Sequence, residues 1–186
     1  NDLELKSRDL GLTIQHGEKF QRAFDARDAD ALVRLMDSQF HQYFATVDVV
    51  KLQKLQVFDH EFTQVAESSE GAAALANGKV ACPALIEQAR ARRGRFRLLP
   101  VSQFCLFANQ PYYAVIVPVG GLRPRGYLQV TTDPSYSLAQ IESALGMPLK
   151  MTLPSGLVIY TSEAWMPSNA VEQALVAEYP LETPVT

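Results

Sequence analysis

The sequence predicts an α+β fold in which a long N-terminal helix packs on an antiparallel sheet, followed by a helix and a smaller β-hairpin subdomain. Three observations carry this. Apolar residues in the first 45 positions recur three and four apart, as in Phe20, Ala23 and Phe24. From Val49 the period changes towards two. After residue 133 a helix-like run, Leu138, Ile141 and Leu145, precedes a second alternating pair of runs.

At 186 residues the chain is long enough for one sizeable core, or one core with a satellite. A hydrophobic share of 47% with 20% charged residues is that of a folded globular protein. The formal net charge of -3 exerts no global pull on nucleic acid. No apolar run reaches the roughly 18 residues of a membrane span, and no signal peptide opens the chain. Its first residue is Asn1, so the chain reads as a processed fragment whose flanking segments can include membrane helices.

In the N-terminal region Leu3, Leu10, Ile14, Phe20 and Phe24 form a narrow stripe that asks for a partner, and Asp28 or Asp30 caps a second helical segment. Leu32, Leu35, Met36, Phe40, Tyr43 and Phe44 form the buried side of that segment, and His41 reads as a surface or capping histidine. In LQVFDHEFTQVAES, Leu55 and Val57 precede the turn Asp59-His60-Glu61, and Phe62 and Val65 follow it, as in a β-hairpin. Next comes a helix with Pro83 at its first position, Leu85, Ile86 and Ala89 facing inward, and Gly94 as its C′ residue. Arg90, Arg92 and Arg93 then lie where the helix macrodipole favours positive charge.

Three strand-like runs follow: RFRLLPVSQFCLF, YYAVIVPV and GYLQVTT. The middle run is apolar on both sides and belongs in the sheet centre, with pairing expected to stop at Pro118. Thr132-Asp133-Pro134 starts the next helix, with Asp133 as cap, and Gly146 ends it. The hairpin PLKMTLPSGLVIYTSEAW turns at Pro154-Ser155-Gly156. The tail NAVEQALVAEYPLETPVT reads equally as a short helix or a strand.

This order of elements resembles the extracytoplasmic Cache-type, PAS-like sensor domain of bacterial transmembrane receptors. The stretches that carry the resemblance are LQVFDHEFTQVAESS, YYAVIVPVGGLRPRGYLQVTTD and DPSYSLAQIESALGMPLKMTLPSGLVIYTSEAW. The resemblance implies three parts: a helical stalk over 1–45, a PAS/Cache-like core over 46–133, and a smaller helix-plus-hairpin subdomain over 134–186 leading towards the membrane. It further implies a periplasmic location and a small-molecule pocket on one sheet face, roofed by the segment after the first hairpin. The ligand would be an organic acid or an amine, and the output domain a diguanylate cyclase, chemoreceptor or histidine kinase. A homodimer through the N-terminal helix completes that picture. In the amino-acid-binding branch an aspartate at the end of the last sheet strand holds the ligand amine, and Asp133 occupies such a place. The accompanying Arg-x-Trp-Tyr pattern is absent from RFRLLPVSQF, and the single tryptophan, Trp165, lies in the later hairpin.

The candidate ligand-binding residues are therefore Arg95, Arg97, Tyr112, Tyr113, Tyr127 and Asp133. The two arginines, read as strand residues, offer bidentate bonds to an anion, and the tyrosines combine rings with hydroxyls at a cavity edge. No catalytic residue, metal or cofactor is expected: His16, His41 and His60 are scattered, and no glycine-rich phosphate loop occurs. Cys82 and Cys105 are either a disulfide or two buried thiols, according to compartment. A ligand-free dimerisation or protein-interaction module is the second reading, and a small hydrolase a distant third.

Overall fold

The computed structural model describes residues 2–46, 51–70, 75, 78–80, 82–153 and 156–164, apart from the side chains of residues 2, 41–46 and 136. Trp165, the C-terminal tail, the Pro154-Ser155 turn and the side chains of His41, Tyr43 and Phe44 lie outside that description. The fold is α+β. The chain divides into two compact units, 1–137 and 138–186.

The N-terminal region contains three helices: α1 (Asp2–His16), α2 (Glu18–Asp25) and α3 (Ala29–Thr46). The break before α3 falls where a second helical segment is expected, whereas a further break divides the helix that precedes it. Gly17 takes an extended conformation between α1 and α2. The chain then turns through Arg27 at φ 54°, and Asp28 Oδ1 accepts from Ala31 N at 2.9 Å to start α3.

Five antiparallel strands form the main sheet: β1 (Lys51–Asp59), β2 (Gln64–Ser69), β3 (Val101–Phe107), β4 (Gln110–Val119) and β5 (Gly126–Asp133), in the order β2-β1-β5-β4-β3. The three inner strands are covered on both faces. One face packs under the N-terminal helices, with Leu3, Leu10, Ile14, Phe20, Phe24, Leu32 and Met36 against Leu55, Val57, Tyr113, Val115, Val117, Leu128 and Val130. The stripe on α1 and α2 is thus buried within this unit. A homodimer through α1 has only the helix's exposed flank to use, where Leu5 stands. Gly11 shows how closely α1 lies on the sheet: a Cβ there would sit 3.1 Å from Val117 Cγ2 and 3.2 Å from Val130 Cγ2.

The opposite face is covered by residues between β2 and β3, including Leu75 and Val80, and by α4 (Pro83–Ala91). Leu85, Ile86 and Ala89 of α4 pack with Phe58, Phe62, Tyr112, Ala114, Ile116 and Tyr127. This covering forms a roof over the sheet. A β-bulge between Leu52 and Lys54 reverses the facing of β1, so that Leu52 and Leu55 both join the helical core while Lys54 faces the roof.

Two sequence expectations change here. RFRLL is not strand: residues Gly94–Leu98 form a 3-10 turn, and β3 starts at Val101. Helix α4 ends at Ala91, so Gly94, although at φ 55°, opens that turn rather than serving as C′. Arg92 explains the difference, because its guanidinium donates to Phe96 O (3.3 Å), Leu99 O (2.9 Å) and Pro100 O (3.1 Å). It satisfies carbonyls that a strand would have paired. Pro118 does not stop all pairing either. Pairing with β3 ends at Ile116, whereas pairing with β5 runs through Pro118 to Val119, so the missing N–H of proline falls on the side where β3 has already ended.

In the second unit α5 (Ser135–Leu145, which begins in the first) ends at Gly146, at φ 62°, whose N–H donates to Glu142 O at 3.0 Å. The hairpin β6 (Lys150–Thr152) and β7 (Val158–Thr161) follows. Tyr160 donates to Glu142 Oε2 at 3.2 Å, and burial first, then this carboxylate, pushes the tyrosine pKa up.

Candidate ligand-binding face

Strand register determines which side chains share the roof face. One row across the sheet reads Glu67, Gln56, Gln129, Ile116 and Val101, and the next reads Ser69, Lys54, Thr131, Ala114 and Gln103. On the other side of the first row lie Phe58 and Tyr127, which are also register partners. In these two rows the face is therefore polar over β2, β1 and β5, and apolar over β4 and β3 except at Gln103.

Lys54 is fully buried in the polar part. Its ammonium donates to Leu75 O at 3.1 Å and Lys79 O at 2.8 Å, and pairs with Glu67 Oε2 at 2.8 Å. Among the described residues three acceptors, two of them roof carbonyls, thus surround an ammonium with three donors. Glu67 is further held by Gly78 N at 2.5 Å and by Gln56 Nε2 at 3.3 Å, and Gln56 Nε2 also donates to Gln64 Oε1 at 2.9 Å. Lys54 and Glu67 together tie the roof to the sheet. Gln129 Nε2 donates to Thr131 Oγ1 at 3.4 Å. The carbonyl oxygens of Gln56 and Gln129 are buried and have no partner among the described residues. Each such acceptor costs about 1–3 kcal/mol if left unmet.

The aromatic end of the face is tightly built. Phe62 and Tyr127 stack with centroids 4.2 Å apart, Arg90 lies 5.7 Å above the Phe62 ring, and Arg97 donates to the Tyr127 hydroxyl at 3.3 Å. Phe62 adopts φ 64°, a costly conformation for a bulky residue. Asp59 Oδ1 holds the turn there by accepting from Glu61 N and Thr63 N, both at 2.9 Å.

The residues singled out from sequence divide between different places. Tyr112 and Tyr127 share the roof core, and Tyr113, as the next residue along β4, points to the helical core. Tyr112 donates to Gln110 Oε1 at 2.9 Å, and its pKa is pushed up by burial and then by the nearby Asp133 carboxylate. Burial likewise raises the pKa of Tyr113, with a Ser102 hydrogen bond lowering it and Glu4 adding to the rise. Asp133 Oδ1 accepts from Ser135 N at 2.9 Å, the local bond of a helix cap. Arg95 and Arg97 are exposed on the 3-10 turn, with Arg95 over the Phe96 ring at 5.4 Å. Cys82, which precedes α4, is disulfide-bonded to Cys105 of β3, the register partner of Tyr112. The bond ties the start of the roof helix to the sheet.

Lys54, Gln56, Glu67 and Gln129 are the residues that sequence reading passed over. In KLQKLQVF and YLQVTT polar residues are interspersed with apolar ones, a composition that also suits a strand with one solvated face. A signal was present in the meander, whose middle run is apolar on both sides and so requires a covered second face.

A separate cleft of about 160 Å³ lies among Phe24, Asp25, Arg27, Asp59, His60, Val65 and Arg125. Some of its charged groups are already engaged: Arg125 pairs with Asp25 and donates to Gln21 Oε1 at 2.6 Å, and Asp59 holds its own turn. Among the described residues no three histidine, cysteine or acidic side chains converge on a metal position. No described helix is long and apolar enough to cross a membrane. No protein-family model matches the chain, and no curated protein matches it significantly.

Proposed function

We propose that this chain is the extracytoplasmic ligand-sensing input domain of a transmembrane signalling receptor, which binds a small molecule between roof and sheet and passes the resulting roof movement to a cytoplasmic output domain. The observation that carries the reading is the buried polar strip of Lys54, Gln56, Glu67 and Gln129, in which two carboxamide oxygens stay unpartnered. Purely structural cores rarely keep such acceptors, because a partner or an apolar replacement removes the cost. Two further features support it. The roof follows the first hairpin, where the resemblance to Cache-type sensors puts the ligand cover, and the Cys82–Cys105 disulfide suits an oxidising compartment.

Thermal-shift screening against amino acids, organic acids, amines and neutral amides tests the proposal. A true ligand raises stability with the logarithm of its concentration above Kd, by about 2.7 kcal/mol at one hundred times its Kd. If none of these classes shifts the transition, the sensing reading fails and a ligand-free dimerisation module takes its place.

A further inference from the structure

Resting on that sensing reading, we infer that the roof face takes a neutral ligand bearing N–H donors, of the primary amide, urea or lactam class, held by Gln56 Oε1 and Gln129 Oε1. Four buried side-chain atoms without a hydrogen-bond partner occur among the described residues, and these two stand on register partners of adjacent strands. Partners in an antiparallel pair have Cα atoms roughly 4.5–5.5 Å apart and side chains on one face. The two carboxamides therefore start from neighbouring positions on one face, and the inferred ligand bridges them with one small polar group.

The charge arrangement selects the ligand class. Among the described residues the Lys54 ammonium already meets Leu75 O, Lys79 O and Glu67, so this buried cation has no donor to spare for an anionic ligand. A carboxylate would instead face two carbonyl oxygens and the Glu67 carboxylate. A cationic head fares little better, because Glu67 is already neutralised by Lys54 and a second buried positive charge would stand beside the first without a counterion. A neutral N–H donor meets both oxygens and adds no charge. Phe58 and Tyr127 on one side and Ile116 on the other supply apolar walls for the body of such a ligand.

A size-matched series tests the inference on the intact, disulfide-bonded chain: benzamide, benzoate and benzylammonium, titrated with detection by NMR. Benzamide should bind saturably and at least tenfold more tightly than either charged analogue. Gln129→Leu should weaken benzamide roughly tenfold, about the effect of one lost hydrogen bond, without lowering the unfolding midpoint of the ligand-free protein. Gln129→Met serves as the second variant should leucine pack badly. Tighter binding of benzoate or benzylammonium, or benzamide affinity unchanged in both variants, overturns the inference and leaves the sensing reading standing. If no probe of any class binds and a crystal structure finds only a water bridging the two oxygens, both fall.

Discussion

Replacing Lys54 by methionine keeps most of the side-chain volume and removes the ammonium from a wholly buried position. Glu67, whose side chain is 11% exposed, would keep Gly78 N and Gln56 Nε2 but lose its counterion at 2.8 Å. The carbonyls of Leu75 and Lys79 would each lose a charged donor. Breaking a buried pair from one side typically costs about 3–5 kcal/mol. That is a large part of the roughly 5–15 kcal/mol by which domains are stable, and for a unit of this size it corresponds to a fall in Tm on the order of 10 °C or more. The double variant Lys54→Met with Glu67→Leu removes both charges, so its loss should fall short of the sum of the single losses by about 1–3 kcal/mol. Urea unfolding followed by far-UV circular dichroism, with the disulfide intact, measures all three variants. A loss below about 1 kcal/mol in Lys54→Met would place the pair among solvated surface ion pairs and refute the argument that the roof seals the strip.

Reduction of Cys82–Cys105, or the double serine variant, should lower stability by about 3 kcal/mol on the chain-entropy model for cysteines 23 residues apart, read as a shift in denaturation midpoint with and without reductant. An unchanged midpoint would mean that the roof is held without the bond. Gly126→Ala should destabilise far more than Gly11→Ala. Its Cβ would stand 2.3 Å from Phe58 O and 2.4 Å from Phe24 Cζ, against 3.1 Å from a movable Val117 methyl at Gly11, where about 1–3 kcal/mol of overpacking is expected. Equal losses, by the same urea measurement, would contradict the close approach of Phe24 and β1 to Gly126. For Tyr112 and Tyr113 the folded pKa lies above the unfolded value of 10.0. Above about pH 10 the unfolded chain therefore gives up protons that the folded state keeps, so their contribution is whole below that pH and stability falls as pH rises through the folded values. Alkaline titration of tyrosinate absorbance should show a late group that ionises together with unfolding, and free titration of every tyrosine near pH 10 would refute it.

Much of the local structure was legible because it depends on neighbours in sequence. The hairpin at Asp59, the cap at Asp28 and the start of α5 beside Asp133 follow from side chains bonding backbone groups a few residues away, and the termination at Gly146 from the positive φ that glycine tolerates. Asp133 accepts the bond that its sequence neighbours predict, and it also stands close enough to Tyr112 to raise its pKa, which no local pattern reveals. RFRLL was misread because its alternation suits a strand, whereas Arg92 bonds carbonyls across the 3-10 turn. Gly17 splits what periodicity alone joined into one helix.

The sequence by itself determined the α+β class, the two hairpins, the double-sided middle strand of the meander and the composition of each strand's alternating faces, since these depend on backbone preference and period. Only the tertiary structure decided what each face meets. The bulge at Leu52–Lys54 and the order β2-β1-β5-β4-β3 put Lys54, Gln56 and Gln129 beneath the roof, and the N-terminal stripe against the sheet rather than a second subunit. A polar stripe on a strand has the same sequence whether water or a roof lies over it. Burial is what turns Gln56 and Gln129 from ordinary surface residues into two acceptors in need of a donor.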